Sequence, residues 1–176
     1  ARQSGRGPPC PRQAGRDRVA AGLRARDRRI AGCKAMITTS SLEVRTRGQG
    51  DVHDMTADLS RAVSSSGVGS GVAIVFVVGS TAGVTTIECE PGAIQDLDRS
   101  FERVAPRHGE YAHHLRWGDD NGSSPVRAAM LGPSLTVPIV DGRPTLGPWQ
   151  QVVLVEFDTG PRKRTVIVQV LGEEHG

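Results

Sequence analysis

Residues 72–78 (VAIVFVV) form an unbroken apolar run in which five of the seven side chains are β-branched. The run is far too short to span a bilayer, and its length and branching suit a strand instead of a helix. Consecutive apolar residues place hydrophobic side chains on both faces of a strand, so the pattern predicts a central strand buried on both sides. On that reading Ile74→Asp costs several kcal/mol (on the order of 3–5), because such a strand offers a carboxylate no partner.

The rest of the chain supplies elements to surround that strand. Leu42, Val44 and Thr46 alternate with Glu43, Arg45 and Arg47, the period of a half-buried strand. Val52, Met55, Leu59, Ala62 and Val63 recur at helical spacing, with Asp51 in position to cap. Residues 64–71 (SSSGVGSG) read as a loop. A strand follows them where a dinucleotide or P-loop site needs a helix N-terminus, so a plain turn is the reading. Residues 84–88 form a second strand, and Pro91 and Gly92 open a helix through Ile94, Leu97, Phe101 and Val104 that Pro106 ends. Residues 111–117 read as extended, and Pro125 stands near the start of a short helix over 126–131. Strands at 135–140, 152–157 and 165–171 follow, separated by the turns Asp141-Gly142 and Gly160-Pro161. The expected class is α+β: a mainly antiparallel β-sheet with two or three helices packed on one face.

Charge divides the chain in two. Residues 1–35 carry ten Arg and Lys against Asp17 and Asp27, a net of +8, whereas the remainder has 12 basic and 17 acidic residues, a net of −5. All six aromatic residues lie beyond position 35. The first segment, rich in Arg, Ala, Gly and Pro, lacks the apolar surface to offset its ordering entropy. It is expected to be a disordered basic tail or a non-native extension preceding a start at Met36. A single domain is expected over 36–176. Without aromatics or a motif beside the charge, nucleic-acid binding by the tail is the weaker reading, and no membrane partner is expected. Cys10, Cys33 and Cys89 make neither a CxxC pair nor an even framework, which argues against a zinc finger and a disulfide-stapled fold. Cys89 reads as a small core or interface residue, and the expected compartment is the cytoplasm.

Three polar clusters could carry chemistry. Residues 111–121 (YAHHLRWGDDN) offer His113, Asp119, Asp120 and Asn121, with Arg127 nearby. A His beside vicinal carboxylates suits acid–base work or a divalent cation such as Mg or Zn, with His113 and Asp119 as ligands. The same acidic residues also make an ordinary loop. Ser80 and Thr81 lie between glycines at the end of the apolar strand, where the backbone can approach an anion. Trp149 and Gln150 open a strand with an indole N–H and an amide placed for recognition.

Taken in order, GSTAGVTTIE (79–88), VAPR (104–107), YAH (111–113), DDNG (119–122), RAAMLGPSLTVPIVDGR (127–143), LGPWQQVVLVEFD (146–158), PRKR (161–164) and LGE (171–173) resemble the YjbQ-like family, also described as secondary thiamine-phosphate synthases. The resemblance covers residues 38–173. It implies an α+β sandwich, a homotrimer with a polar site near subunit boundaries, and a phosphorylated small metabolite as ligand. The implied reaction joins a pyrimidine diphosphate to a thiazole phosphate. On that reading His113, Asp120 and Arg127 are catalytic, and Ser80, Thr81, Asn121, Trp149 and Gln150 bind substrate. Many members carry three histidines; here Ser80 and Pro125 stand at two of those positions and only His113 remains. The alternative is therefore a non-enzymatic, oligomeric small-anion or metabolite binder.

Overall fold

The computed structural model describes residues 35–174, and the expectations for the basic segment up to residue 34 lie outside that range. The described elements are β1 (Ala35–Arg45), β2 (Val52–Asp54), α1 (Thr56–Ser66), β3 (Val68–Val78), β4 (Ala82–Ile87), α2 (Pro91–Val104), α3 (Ala112–Trp117), α4 (Ser123–Leu131), β5 (Ser134–Val140), β6 (Arg143–Pro144), β7 (Gln151–Glu156) and β8 (Lys163–Glu174). Every strand pair is antiparallel. The strands divide between a five-stranded sheet, β1-β8-β3-β5-β6, and a three-stranded sheet, β2-β7-β4. The antiparallel α+β class expected from the sequence is what the chain forms.

The two sheets meet across the main core. Ala73, Val75 and Val77 of β3, Val137 and Ile139 of β5, and Val166, Val168 and Val170 of β8 pack with Ala82, Val84, Val152 and Leu154 of the smaller sheet. Leu59, Ala62 and Val63 of α1 join them. The other face of the smaller sheet, Val153 and Val155, is covered by Phe101 of α2 and Ala128 of α4. Phe157, just beyond β7, meets Phe101 edge to face at 4.9 Å.

It is therefore β7 that is buried on both faces, and β3 that is not. Phe76 and Val78 are 41% and 51% exposed on the outer face of the five-stranded sheet, and Ile74 shares that face. The apolar run alone does not reveal whether a second layer covers a strand. The large penalty expected at Ile74 belongs instead to its inward neighbour Val75.

Two local readings also change. Val52–Asp54 pair with β7, so the helix begins at Thr56, whose N–H is accepted by Asp54 Oδ1 at 2.8 Å. The serines of the expected loop finish α1, and β3 starts at Val68 with a register irregularity before Ser70. Gly71 is required there by close approach: a Cβ would lie 2.0 Å from the Leu171 carbonyl oxygen. The Asp141-Gly142 turn is as expected, with φ of 51° and 71°, the left-handed geometry of a two-residue hairpin.

Asp51 does not cap α1. Its buried carboxylate accepts the Arg47 backbone N–H at 2.9 Å and Arg47 Nε–H at 3.0 Å, and lies 2.8 Å from His53 Nε2. Burial opposes ionisation, but these hydrogen bonds outweigh it and lower the carboxyl from 3.8 to about 2. A depressed folded value gives stability that is present above pH 3.8 and lost as pH falls toward 2. Asp51→Asn is expected to cost about 2 kcal/mol at pH 7 in urea melts. That difference should shrink as the melts are repeated at falling pH.

Among the described residues no helix is long and apolar enough to cross a membrane.

Candidate functional site

Four loops converge on an open cleft of about 460 Å³. Gln49 comes from the β1–β2 loop, Arg107 and His108 from the α2–α3 loop, Asp119, Asp120 and Asn121 from the α3–α4 loop, and Thr159 and Arg162 from the β7–β8 loop. Glu90 caps α2, its carboxylate accepting the Gly92 N–H at 2.7 Å, and α2 ends where Ala105 N–H bonds Phe101 O at 2.8 Å. This delivers Arg107 to the rim, where its guanidinium meets Asp98 and lies 3.5 Å from Glu102.

Arg162 is held more firmly. Its Nη2 donates to Asp158 Oδ1 at 3.0 Å, and its Nε lies 2.9 Å from Oδ2 in the same ion pair. Burial raises the Asp158 carboxyl, but hydrogen bonds from Arg162 and Thr81 outweigh it and hold it below the usual range. Thr81 Oγ1 donates to Asp158 at 2.9 Å and accepts from Arg164 Nη2 at 2.7 Å. Arg164 Nε donates in turn to fully buried Glu156 at 2.7 Å, and Thr46 Oγ1 donates to the same carboxylate at 2.8 Å. Thr81, expected to bind substrate, is thus occupied inside a buried ion network, and Ser80 is exposed beside it without lining the cleft.

Residues 112–117 form α3, not the extended segment expected from the sequence. Six residues are too few to show helical periodicity, and Gly118 at φ 68° ends the helix. Successive histidines on a helix sit about 100° apart. His113 Nε2 lies 3.9 Å from Asp119 Oδ1. His114 Nε2 instead accepts the Gly122 N–H at 3.1 Å. Gly122 is needed for this approach, since a Cβ would stand 2.4 Å from Tyr111 Cβ and 2.7 Å from His114 Nε2.

The structure therefore gathers Asp119, Asp120 and Asn121 in one cleft with His113 beside Asp119, and it sets the other expected residues elsewhere. Arg127 is 1% exposed and does not line the cleft. Its Nε donates to Ala105 O at 2.7 Å and its Nη2 to Glu102 at 2.6 Å, joining α4 to the end of α2. The Arg127 hydrogen bond also holds Glu102 below the ordinary carboxylate range. Trp149 is 65% exposed at the start of β7, whereas the cleft lies past its end. Gln150 Nε2 bonds Thr86 there at 3.0 Å. Cys89 is half-buried, and burial together with the Asp54 charge pushes its thiol up, the opposite of an activated nucleophile.

His113 and Asp119 supply two donors for the divalent cation expected from the sequence. Among the described residues no group of three His, Cys, Asp or Glu side chains stands together to hold a metal ion.

Arg107, Thr159 and Arg162 were not expected from the sequence. For the two arginines the signal is an arginine directly after a loop proline, Pro106-Arg107 and Pro161-Arg162. The same elements recur in known proteins. A solved YbjQ-like protein of unknown function from Sulfolobus solfataricus P2 superposes with a TM-score of 0.75 at 28% identity, covering 80% of this chain and 100% of that one. A hypothetical protein from Aeropyrum pernix K1 gives 0.71 at 34% identity, covering 77% and 99%. In sequence, a UPF0047 protein of Methanothermobacter thermautotrophicus is 34% identical over 78% of this chain and 94% of its own length. The UPF0047 protein YugU of Bacillus subtilis is 30% identical over 75% and 98%. The family model described as UPF0047 protein YjbQ-like matches residues 40–173, which take in every strand from the middle of β1 to the end of the matched β8 segment and all four loops of the cleft. By this match, and by the relatives that share it along nearly their whole length, the chain belongs to the YjbQ-like UPF0047 family.

Proposed function

We infer that this chain binds a phosphorylated small metabolite in the four-loop cleft and has weak thiamine-phosphate synthase activity there. The observation that carries the reading is the cleft itself, which sets Arg107 and Arg162 around the Asp119–Asn121 loop with His113 at its edge. In the reaction the thiazole nitrogen lone pair forms a bond to the pyrimidine methylene carbon, and the carbon–oxygen bond to the diphosphate breaks with its electrons. Pyrophosphate leaves and the thiazole becomes a thiazolium, so no redox partner is needed. Guanidinium donors at the cleft suit the charge that builds on the departing diphosphate. His113, 3.9 Å from Asp119 Oδ1, would supply a proton to it. Arg127, buried under Glu102 and Ala105, acts through the position of α2 and not on substrate.

The test is formation of thiamine phosphate and pyrophosphate from the two substrates by purified protein. His113→Ala is expected to lower the rate about 100-fold; equal rates would remove His113 from the mechanism. A non-enzymatic binder is the second reading, favoured by the absence of a three-donor cluster among the described residues. It is distinguished by a phosphate-dependent rise in Tm without turnover. Assembly as a homotrimer is part of the proposal, supported by the uncovered apolar residues Ile37, Phe76, Val78 and Val140 on the outer sheet face. Sedimentation equilibrium giving a monomer would remove that part.

A further inference from the structure

The five-stranded sheet ends on one side in a long, unguarded edge. β1 runs 11 residues, pairs with β8 at every position from Ala35 to Arg45 without a bulge, and is the terminal strand of its sheet. Among the described residues nothing pairs with its other edge. Proteins ordinarily blunt such an edge with a proline, a charge, a bulge or a cover. The remaining edges follow that rule: β6 is two residues ending in Pro144, β2 is three residues, and Val84 of β4 donates its N–H to Gly132 O. In β1, residues 35–42 (AMITTSSL) hold neither a charge nor a proline. Its inner row is also incompletely covered, since Met36, Leu42 and Val44 pack against the main core yet stay half-buried.

We propose that a second copy of this chain completes the edge, its β1 lying antiparallel to the first about a two-fold axis at Ser40. That register overlaps the whole of β1 and sets Met36 of each copy opposite Val44 of the other, and Thr38 opposite Leu42, on the inner face. A one-residue slip would set inner residues against outer ones. Charge agrees with the same register. Ala35 of one copy meets Arg45 of the other, and Glu173 is the partner of Ala35 in β8, on the same exposed face. Arg45 of the other copy then stands two strand spacings, about 10 Å, from Glu173, across an alanine too small to block the pair. Glu173 makes no ion pair among the described residues, and Arg45 is 83% exposed, 3.7 Å from a Glu43 that Lys163 already holds. A two-fold contact closes on itself and uses the strand edge, not the sheet face, so it doubles the assembly: a dimer from a monomer, a hexamer from a trimer.

Sedimentation equilibrium of the full chain and two double variants tests it. Thr39 and Ser41 are exposed on the outer face and lie opposite each other across the axis. Thr39→Lys with Ser41→Lys sets lysine against lysine on both sides of the axis and is expected to halve the particle mass. Thr39→Glu with Ser41→Lys changes the same positions but sets glutamate against lysine, and is expected to keep the wild-type mass. Circular dichroism matching wild type establishes that each variant folds. A wild type that is dimeric, and monomeric with the lysine pair, would support the edge contact and remove the sheet-face trimer. A trimer that neither variant changes would overturn the edge contact and leave the face assembly standing. A monomeric wild type, or equal masses for the two variants, would also overturn the edge contact. If a variant does not fold, hydrogen exchange of the wild type decides: protection of successive β1 amides supports the pairing, whereas free exchange at every second one, the pattern of an open edge, overturns it.

Discussion

Arg164→Met is expected to destabilise the protein by about 3–5 kcal/mol, seen as a lower urea midpoint with an unchanged slope. Glu156 is 0% exposed, and Arg164 is its only cationic partner among the described residues. Removing that guanidinium leaves a carboxylate buried without counter-charge, and it also takes a donor from Thr81. Methionine has similar length, so loss of packing contributes little. The double variant Glu156→Leu with Arg164→Met should recover much of the loss, because the pair's own desolvation cost disappears with it. A double variant no better than the single would show that packing, and not charge, sets the penalty.

Val75→Asp should cost as much or more, on the order of 4 kcal/mol or above. Val75 is 1% exposed in the core between the sheets, surrounded by valine, leucine and isoleucine with no donor for a carboxylate. Ile74→Asp, one residue away on the outer face, is expected to cost far less, since water reaches that face. Thermal melts of the two variants form a direct pair: similar losses would mean that both faces of β3 are covered in solution, as a sheet face buried in an oligomer would be.

The strength of the sequence lay in periodicity and punctuation. The helix opened by Pro91, the hairpin at Asp141-Gly142 and the strands at 135–140 and 152–157 carry their signals in adjacent residues, so they could be read without tertiary knowledge. What could not be read was which strand lies between two layers. VAIVFVV and QVVLVE look alike as strings, and only the placement of α2 and α4 makes the second the doubly covered one. Length hid α3, which is shorter than two turns. At the site, Asp119, Asp120 and Asn121 were visible as a polar bend, whereas Arg107 and Arg162 reach the same cleft from loops 55 residues apart, a distance in sequence that no local pattern bridges. Arg127 and Thr81 show the converse: polar residues near a candidate site whose hydrogen bonds are spent on holding elements together.

Strand β8 lies between β1 and β3 along their lengths, pairing Ala35–Arg45 on one side and Val68–Val78 on the other. While the chain is being synthesised, β1 has no partner and β3 has only β5 until residues 163–174 have left the ribosome. Until then the valines of β3 lack the strand that joins them to β1, so completion of the five-stranded sheet waits on this twelve-residue strand and is governed by long-range pairing. A ribosome stalled before Lys163 should therefore display a nascent chain that chaperones hold and proteases cut, even though every residue of the cleft has already been made.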